Sequence, residues 1–458
     1  MFASLAWFKQ GFPLLRLTPT RILFIGYVFI IGCGTGLLLL PPATTGNGIS
    51  WVDAVFTATS ATSITGLIVL DTPHDFTLFG QLVILGLIQI GGIGYMTIAA
   101  LFVILLGRRI GMQERRLLQE SLNVMSPEGI LRFVLQVVKV TLLVEGIGAL
   151  LLALRFSKDF EPVEAIYYGI FHAISAFNNA GFTLFSTSLT SYHLDLAVNS
   201  VAMILIIAGG IGFLVYDNIV GVATRRNRRL SVHSKMVLSV TAVLIVLGAV
   251  VVLLFEHANL KTLGVLSWPE KILVASFQAI SGRTAGFGTV DTSFLTDSTL
   301  YFLVFLMFIG GAPGSTGGGI KTTTFGTIVM ALWATMRGHR DVMVFYRRIP
   351  PDIVAKAFYL AAVAIVIISV STLILAFVEE EDFLETLFEV TSAAATVGMS
   401  TGDGNSHSLS GGFSDFGKLL VALLMLIGRI GPLAISIAFV GGVYRAQYRY
   451  AEEKLVIG

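Results

Sequence analysis

Charged side chains are scarce in this chain: they make up 13% of its 458 residues, against 55% hydrophobic residues and a mean hydropathy of +0.84. Soluble domains carry about 25% charged residues, and one this apolar would expose large greasy patches, so a soluble globular protein is excluded. Cysteine is nearly absent. Cys33 stands alone in an apolar run, which leaves neither a disulfide framework nor a cysteine metal site. Hydrolytic signatures are missing as well: there is no GxGD, GxSxG or HExxH, and the few acids in apolar runs show no pairing pattern. That removes the intramembrane aspartyl and serine proteases. The net charge of +2 is too small to characterise a partner, and no nucleic-acid partner is expected.

What the chain does have is a set of apolar runs long enough to cross a bilayer, which takes about 20 residues. It reads as an all-α polytopic membrane protein. The first run ends in Leu40-Pro41-Pro42 without a small-residue cleavage site and reads as a retained helix, not a leader peptide. One phrase recurs four times: Phe56-TATSATSIT-Gly66-Leu67, Phe171-HAISAFNNA-Gly181-Phe182, Phe277-QAISGRTA-Gly286-Phe287 and Phe388-EVTSAAATV-Gly398-Met399. The third copy is one residue shorter, and the glycines lie 115, 105 and 112 residues apart. Each copy sits between two long apolar segments, which gives four helix–pore loop–helix units. The units run over 1–116, 117–231, 232–350 and 351–458. First-of-pair helices are expected over 21–40, 133–155, 235–255 and 355–377, and second-of-pair helices over 78–107, 197–222, 299–337 and 415–442. The segments 51–62, 163–177, 270–281 and 383–394 are too short to span and read as re-entrant pore helices. Non-helical backbone at that depth survives only where protein or water covers it. The expected fold is eight spanning helices and four pore helices around a pseudo-four-fold axis.

Charge orients the units. Lys9, Arg16 and Arg21 precede the first span; Arg108, Arg109, Arg115 and Arg116, then Arg225 to Arg229, Arg337, Arg340, Arg347, Arg348, Arg445 and Arg449 follow the second-of-pair spans. The opposite loops hold acidic stretches such as Asp159, Glu161 and Glu164, or Glu379 to Asp382. By the positive-inside rule both termini are cytoplasmic and all four phrases face outward. Parallel units of this kind count against a carrier built from inverted repeats. The cluster Arg225–Arg229 reads chiefly as a topology signal, with docking of a regulator or anionic lipid as its second use. Asp217 is expected on the same side.

The second-of-pair helices share Ile90-Gly-Gly-Ile-Gly94, Ala208-Gly-Gly-Ile-Gly212, Ile309-Gly-Gly-Ala-Pro-Gly314 and Ile427-Gly-Arg-Ile-Gly431. In the first two copies the glycines read as close helix packing. The fourth puts Arg429 where the others have glycine. A charge far from either end of an apolar run is a functional candidate. The third copy continues as GGAPGSTGGG over 310–319, followed by Ile320 and Lys321. So many glycines, with Pro313 among them, cannot hold a helix. A break into an intramembrane loop beneath the outer loops is expected there, and the spacing to Lys321 fails the phosphate-binding P-loop pattern.

A desolvated monovalent cation needs a ring of weakly basic oxygens to replace its water. The carbonyls of Ile64-Thr65-Gly66, Asn179-Ala180-Gly181, Thr284-Ala285-Gly286 and Thr396-Val397-Gly398 offer one, with each glycine permitting the dihedrals that aim them. No carboxylate lies in these segments, which disfavours a calcium site. Arg283 is the one nearby cation, and a brace through an acid such as Asp291 is its expected role. Glu145 reads equally as a buried hydrogen-bonded group or an ion-coupling one. His172 reads as a pore-helix residue without a second metal ligand nearby.

The chain resembles the Trk/Ktr/HKT superfamily of potassium transporters, in particular its bacterial KtrB-type ion-translocating subunits. The residues that carry the likeness are TSATSITGL (59–67), SAFNNAGF (175–182), RTAGF (283–287), ATVGM (395–399), GSTGGGIKTTT (314–324) and IGRIGPL (427–433), and it covers nearly the whole chain. The resemblance implies potassium uptake across the bacterial inner membrane, often sodium-assisted, by a homodimer on a cytoplasmic ring of nucleotide-binding KtrA-type subunits. It implies potassium held by the backbone carbonyls of Thr65, Gly66, Ala180, Gly181, Ala285, Gly286, Val397 and Gly398. Relatives with serine in the first loop favour sodium, whereas this chain has Gly66. A sodium-selective or non-selective transporter of the same fold is the alternative. The family's intramembrane gate falls on 311–321, namely Gly311, Gly314, Ser315, Thr316, Gly317, Gly318, Gly319 and Lys321, with Arg429 as a cationic barrier beside it. Ala312-Pro313 departs from the pattern and stiffens the loop's entry; Met399 departs only in its side chain.

Overall fold

In a computed structural model the chain is described over residues 19–46, 48–94, 97–98, 100–101, 118–119, 130–225, 228–402 and 407–431. The first unit contributes α1 (Pro19–Leu38), α2 (Trp51–Ser63) and α3 (Leu78–Ile93). The second contributes α4 (Ile130–Phe156), α5 (Pro162–Phe177), α6 (Leu196–Ile211) and α7 (Phe213–Ala223). The third holds α8 (Val232–Glu256), α9 (Trp268–Ser281), α10 (Asp297–Phe308) and α11 (Thr322–Met336), and the fourth α12 (Pro351–Glu379), α13 (Phe383–Ala395) and α14 (Asp415–Ile430). Between α11 and α12 lies a short hairpin that periodicity did not predict. In it Met343–Val344 pairs antiparallel with Arg347–Arg348, and Phe345 and Tyr346 turn the chain with φ of 49° and 62°.

Among the described residues four helices, α1, α4, α8 and α12, are long and apolar enough to cross a membrane, and 17–28% of their apolar windows is buried in protein. The pore helices α2, α5, α9 and α13 have 13 to 16 residues and fall short of the ~30 Å hydrocarbon core at 1.5 Å per residue. Their outer ends are fixed chemically. The Ser50 hydroxyl accepts from Asp53 N at 3.1 Å, Pro162 occupies the first turn of α5, Ser267 and Glu270 form a capping box on α9, and Asp382 accepts from Leu384 N at 2.8 Å. Such caps satisfy the orphan N–H groups of a helix start.

The second-of-pair segments depart from the expected continuous spans. Where one helix was expected over 197–222, α6 and α7 meet at Gly212 with a bend of 93°. α3 stops before Gly94 and α14 before Gly431, and the remainder of those two expected spans lies mostly outside the described residues. The last glycine of each motif copy has positive φ: +85° at Gly94, +91° at Gly212, +67° at Gly314 and +93° at Gly431. A helix cannot pass through such a residue. The break expected of the third copy is therefore shared by all four. The packing role also holds, because a Cβ on Gly91, Gly209 or Gly428 would strike the carbonyl of Thr62, Phe177 or Ala394, each at the inner end of a pore helix.

Each phrase begins with a fully buried phenylalanine, and the apolar clusters show where it goes. Phe56 packs with Leu375, Val421 and Met425 of the fourth unit, Phe171 with Ile84 and Ile88 of the first, Phe277 with Leu205 and Ile206 of the second, and Phe388 with Leu303 and Met307 of the third. Every unit thus inserts a peg into the core of the unit before it, and the fourth receives the first. In a bilayer lipid is as apolar as the core, so these pegs act through packing. At the seam between fourth and first units, Lys418 Nζ reaches Asp53 Oδ1 at 2.8 Å. There Ile68 N donates to Ser408 Oγ at 2.9 Å.

Candidate ion-conducting site

The four phrases end in loops that meet at one ring. A Cβ added to Gly66 would strike the Ala180 carbonyl, one on Gly181 would lie 2.9 Å from the Ala285 carbonyl, one on Gly286 would strike Val397 and one on Gly398 would strike Thr65. Each glycine abuts the carbonyl of the next loop, so the order around the axis is that of the chain and the ring closes on itself. The carbonyls of Thr65, Ala180, Ala285 and Val397 accept no backbone hydrogen bond from described residues. Their φ values of +93°, +71°, +76° and +89° at Gly66, Gly181, Gly286 and Gly398 suit glycine alone or nearly so. Ile64, Asn179 and Thr396 add a left-handed residue two positions earlier, with φ of 53°, 57° and 52°. The third loop, one residue shorter, lacks that step.

A residue missed in the sequence stands behind every loop: a serine four positions after the phrase phenylalanine. Ser60, Ser175, Ser281 and Ser392 are all fully buried. Ser60 O accepts from Thr65 N at 2.8 Å, Ser175 O from Ala180 N at 2.8 Å, Ser281 O from Ala285 N at 2.9 Å and Ser392 O from Val397 N at 2.8 Å. Their identity in all four copies was the available signal. Glu389 of α13 is fully buried, its Oε1 accepting from Ser410 N at 3.0 Å.

Directly beneath the ring runs the glycine-rich segment between α10 and α11. It closes on itself, Gly310 N donating to Ile320 O at 2.9 Å and Thr322 N to Gly311 O at 3.1 Å. It leans on the second unit through Ala312 N to Gly210 O at 2.9 Å, Thr316 N to Gly209 O at 3.2 Å and Phe213 N to Gly314 O at 2.9 Å. A Cβ on Gly317 would lie 2.9 Å from Thr284 Oγ1, and one on Gly318 would strike Thr396 Oγ1. The segment therefore fits against the inner face of the third and fourth loops.

Among the described residues three cationic side chains donate to carbonyls of this segment. Arg283 Nη2 donates to Gly310 O at 3.3 Å, Lys321 Nζ to Gly317 O at 2.6 Å, and Arg429 Nη1 to Thr316 O. Arg429 Nη2 donates also to Gly91 O, tying the segment to the end of α3. Arg429 lies in the last turn of α14, one residue before its end; the rest of the run expected to 442 lies outside the described residues. The expected brace of Arg283 to Asp291 is corrected. Asp291 accepts from Ser293 N at 3.0 Å, while Arg283, 8% exposed, reaches the start of the glycine-rich segment.

Glu145 is buried, its Oε2 accepting from Gln89 Nε2 at 2.9 Å and its Oε1 from Asn178 Nδ2 at 2.9 Å. It therefore backs the second loop through the residue before Asn179. The Thr284 hydroxyl hydrogen-bonds the Asn179 side-chain amide at 2.7 Å. His172 has both ring nitrogens against backbone, Nδ1 at Tyr168 O (2.7 Å) and Nε2 accepting from Leu184 N at 3.4 Å.

Comparison with known proteins decides the family. The TrkH family, described as a cation transport protein, matches residues 30–443. The chain belongs to this family. It is 40% identical over 443 residues to Ktr system potassium uptake protein B of Bacillus subtilis, covering 97% of each chain. It is 36% identical to the protein of the same name from Vibrio alginolyticus, over 91% of this chain and 90% of that one. Potassium/sodium uptake protein NtpJ of Enterococcus hirae is 34% identical over 97% of this chain and 98% of its own. The crystal structure of the potassium transporter TrkH from Vibrio parahaemolyticus superposes with a TM-score of 0.72 at 20% identity, covering 95% of this chain and 88% of that one. It shares the fold. This is a multi-pass membrane protein of a transport family, not an enzyme.

Proposed function

We propose that the chain is the pore of a potassium uptake system, with one conduction path per chain. The observation that carries this reading is the closed ring in which every glycine abuts the next loop's carbonyl and four carbonyls of the ring accept no backbone hydrogen bond from described residues. Carbonyls of Thr65 and Gly66, Ala180 and Gly181, Ala285 and Gly286, and Val397 and Gly398 would replace the hydration shell of potassium. The inner ends of α2, α5, α9 and α13 direct their negative dipole ends to the same place, which favours a cation. Relatives named as potassium uptake proteins support the choice of ion.

The segment from Gly311 to Lys321 is the gate in this reading. It lies against the inner face of the ring, and Arg429 bridges it to α3. Conduction requires it to leave Gly317 and Gly318 free of Thr284 and Thr396. Sodium assistance, a homodimer, cytoplasmic termini and a cytoplasmic nucleotide-binding regulatory ring complete the reading. They rest on resemblance to the KtrB-type subunits.

Sodium or non-selective transport is the second reading, favoured by the name of the Enterococcus hirae relative. Flux of potassium, sodium and rubidium into proteoliposomes decides between them. Potassium and rubidium should enter well ahead of sodium; equal sodium entry would favour the second reading, and no cation flux at all would overturn the pore assignment.

A further inference from the structure

The four buried serines behind the loops use their hydroxyls in two different ways. In the first and fourth loops the hydroxyl accepts from the glycine N–H, Gly66 N to Ser60 Oγ at 3.1 Å and Gly398 N to Ser392 Oγ at 3.0 Å. In the second and third it donates to the carbonyl after the glycine, Ser175 Oγ to Phe182 O at 2.7 Å and Ser281 Oγ to Phe287 O at 2.6 Å. The backbone divides the same way: φ is +93° and +89° at Gly66 and Gly398, but +71° and +76° at Gly181 and Gly286. The residue after the glycine divides likewise, aliphatic Leu67 and Met399 against aromatic Phe182 and Phe287. Because the loops follow chain order, the first and fourth are neighbours, and so are the second and third.

The consequence follows from peptide planarity. In a trans peptide N–H and C=O point in opposite directions. A hydroxyl that draws the Gly66 N–H outward therefore turns the Thr65 carbonyl toward the ring, and Ser392 does the same for Val397. Ser175 and Ser281 instead draw the Phe182 and Phe287 carbonyls back from the outer mouth. In the third loop the Gly286 N–H is held by the backbone carbonyl of Ser281 at 3.3 Å, so the Ala285 carbonyl is aimed without a hydroxyl.

We propose that Ser60 and Ser392 are positioning residues for ion selectivity, whereas Ser175 and Ser281 anchor the outer mouth, so that the filter is built from two unlike halves. The proposal rests on the assignment of the ring as the filter. The test is competitive potassium and sodium uptake in a potassium-uptake-deficient strain carrying each Ser→Ala variant, with Gly398→Ser as the reference. The uptake ratio does not depend on how much protein reaches the membrane. Ser60→Ala and Ser392→Ala should lower the potassium-to-sodium ratio about tenfold, since each leaves a buried N–H unpaired, and Ser60→Thr and Ser392→Thr should keep it near that of the unaltered chain. Ser175→Ala and Ser281→Ala should hold the ratio within about twofold, because a carbonyl tolerates the loss of one donor better. Where an alanine variant fails to accumulate, the cysteine variant, which keeps shape but accepts weakly, reads the same ratio. Equal effects at all four serines, or no effect at Ser60 and Ser392 while Gly398→Ser loses selectivity, would overturn the two-half filter and leave the ring assignment standing. No effect even of Gly398→Ser would overturn both.

Discussion

The ring of outer loops and the glycine-rich segment beneath it are built from similar residues, yet one is close to four-fold and the other belongs to a single unit. In the ring, each unit supplies the same parts: a phenylalanine peg, a buried serine and a glycine against the neighbour's carbonyl. Beneath it, the described second-of-pair helices end or bend at or before a positive-φ glycine, the third continues into a hydrogen-bonded loop, and the fourth unit's Arg429 joins the third unit's own Arg283 and Lys321 in donating to it. Selection by a ring benefits from equal ligands on all sides. Opening and closing needs an element that one side can release, and a hydrogen-bonded loop held by Arg283, Lys321 and Arg429 is such an element.

Substituting the ring glycines tests its near equality most severely. Serine or aspartate at Gly286 or Gly398 should degrade potassium selectivity by about 100-fold or more, since the side chain adds strain at positive φ and meets the next loop's backbone. Competitive uptake measures it, and unchanged selectivity would remove the ring from the filter. Gly181 sharpens the comparison: its φ of +71° is the lowest of the four, so Gly181→Ser should be the mildest of the series.

Changes in the segment below should alter flux and leave selectivity alone. Shortening 312–318 should raise basal flux about tenfold or more by removing the backbone bonds that hold it closed. Loss of flux in a folded protein would argue against a gate. Arg429→Ala removes a charged donor shared by Thr316 and Gly91, each such bond contributing about 1.5–3 kcal/mol, and should raise basal flux about tenfold in the same proteoliposome assay. Arg283→Gln is the smallest of these changes. It weakens one 3.3 Å bond to Gly310, and should raise flux only about two- to fivefold. A selectivity change from any of these three would mean that loop and ring are one device.

Much of this arrangement was legible beforehand. The pore helices were expected over 51–62, 163–177, 270–281 and 383–394 and begin and end within two residues of that, because caps and the abrupt end of apolar patterning are local signals. The glycine-rich break was legible for the same reason, since propensity alone forbids a helix there. Less was visible in the other second-of-pair segments. A single glycine in an apolar run reads as packing, and nothing local separates Gly212, which bends the chain by 93°, from Gly210, which sits inside α6. Arg283 was misassigned because sequence offers Asp291 as its natural partner, whereas a carbonyl acceptor leaves no trace in composition.

By itself the sequence determined the membrane class, the four-fold repeat, the position of each pore helix and the absence of carboxylates from the loops, since these follow from hydropathy, spacing and residue type within one unit. The tertiary structure alone decided the chain-order closure of the ring and the insertion of each phenylalanine into the preceding core, which pass between units, and also the two uses of the serine hydroxyl and the cations that donate to the glycine-rich segment. Some of these contacts join residues a hundred or more positions apart and others lie within one unit, but most end on backbone carbonyls, and every residue has a carbonyl, so only folding selects which of them is used.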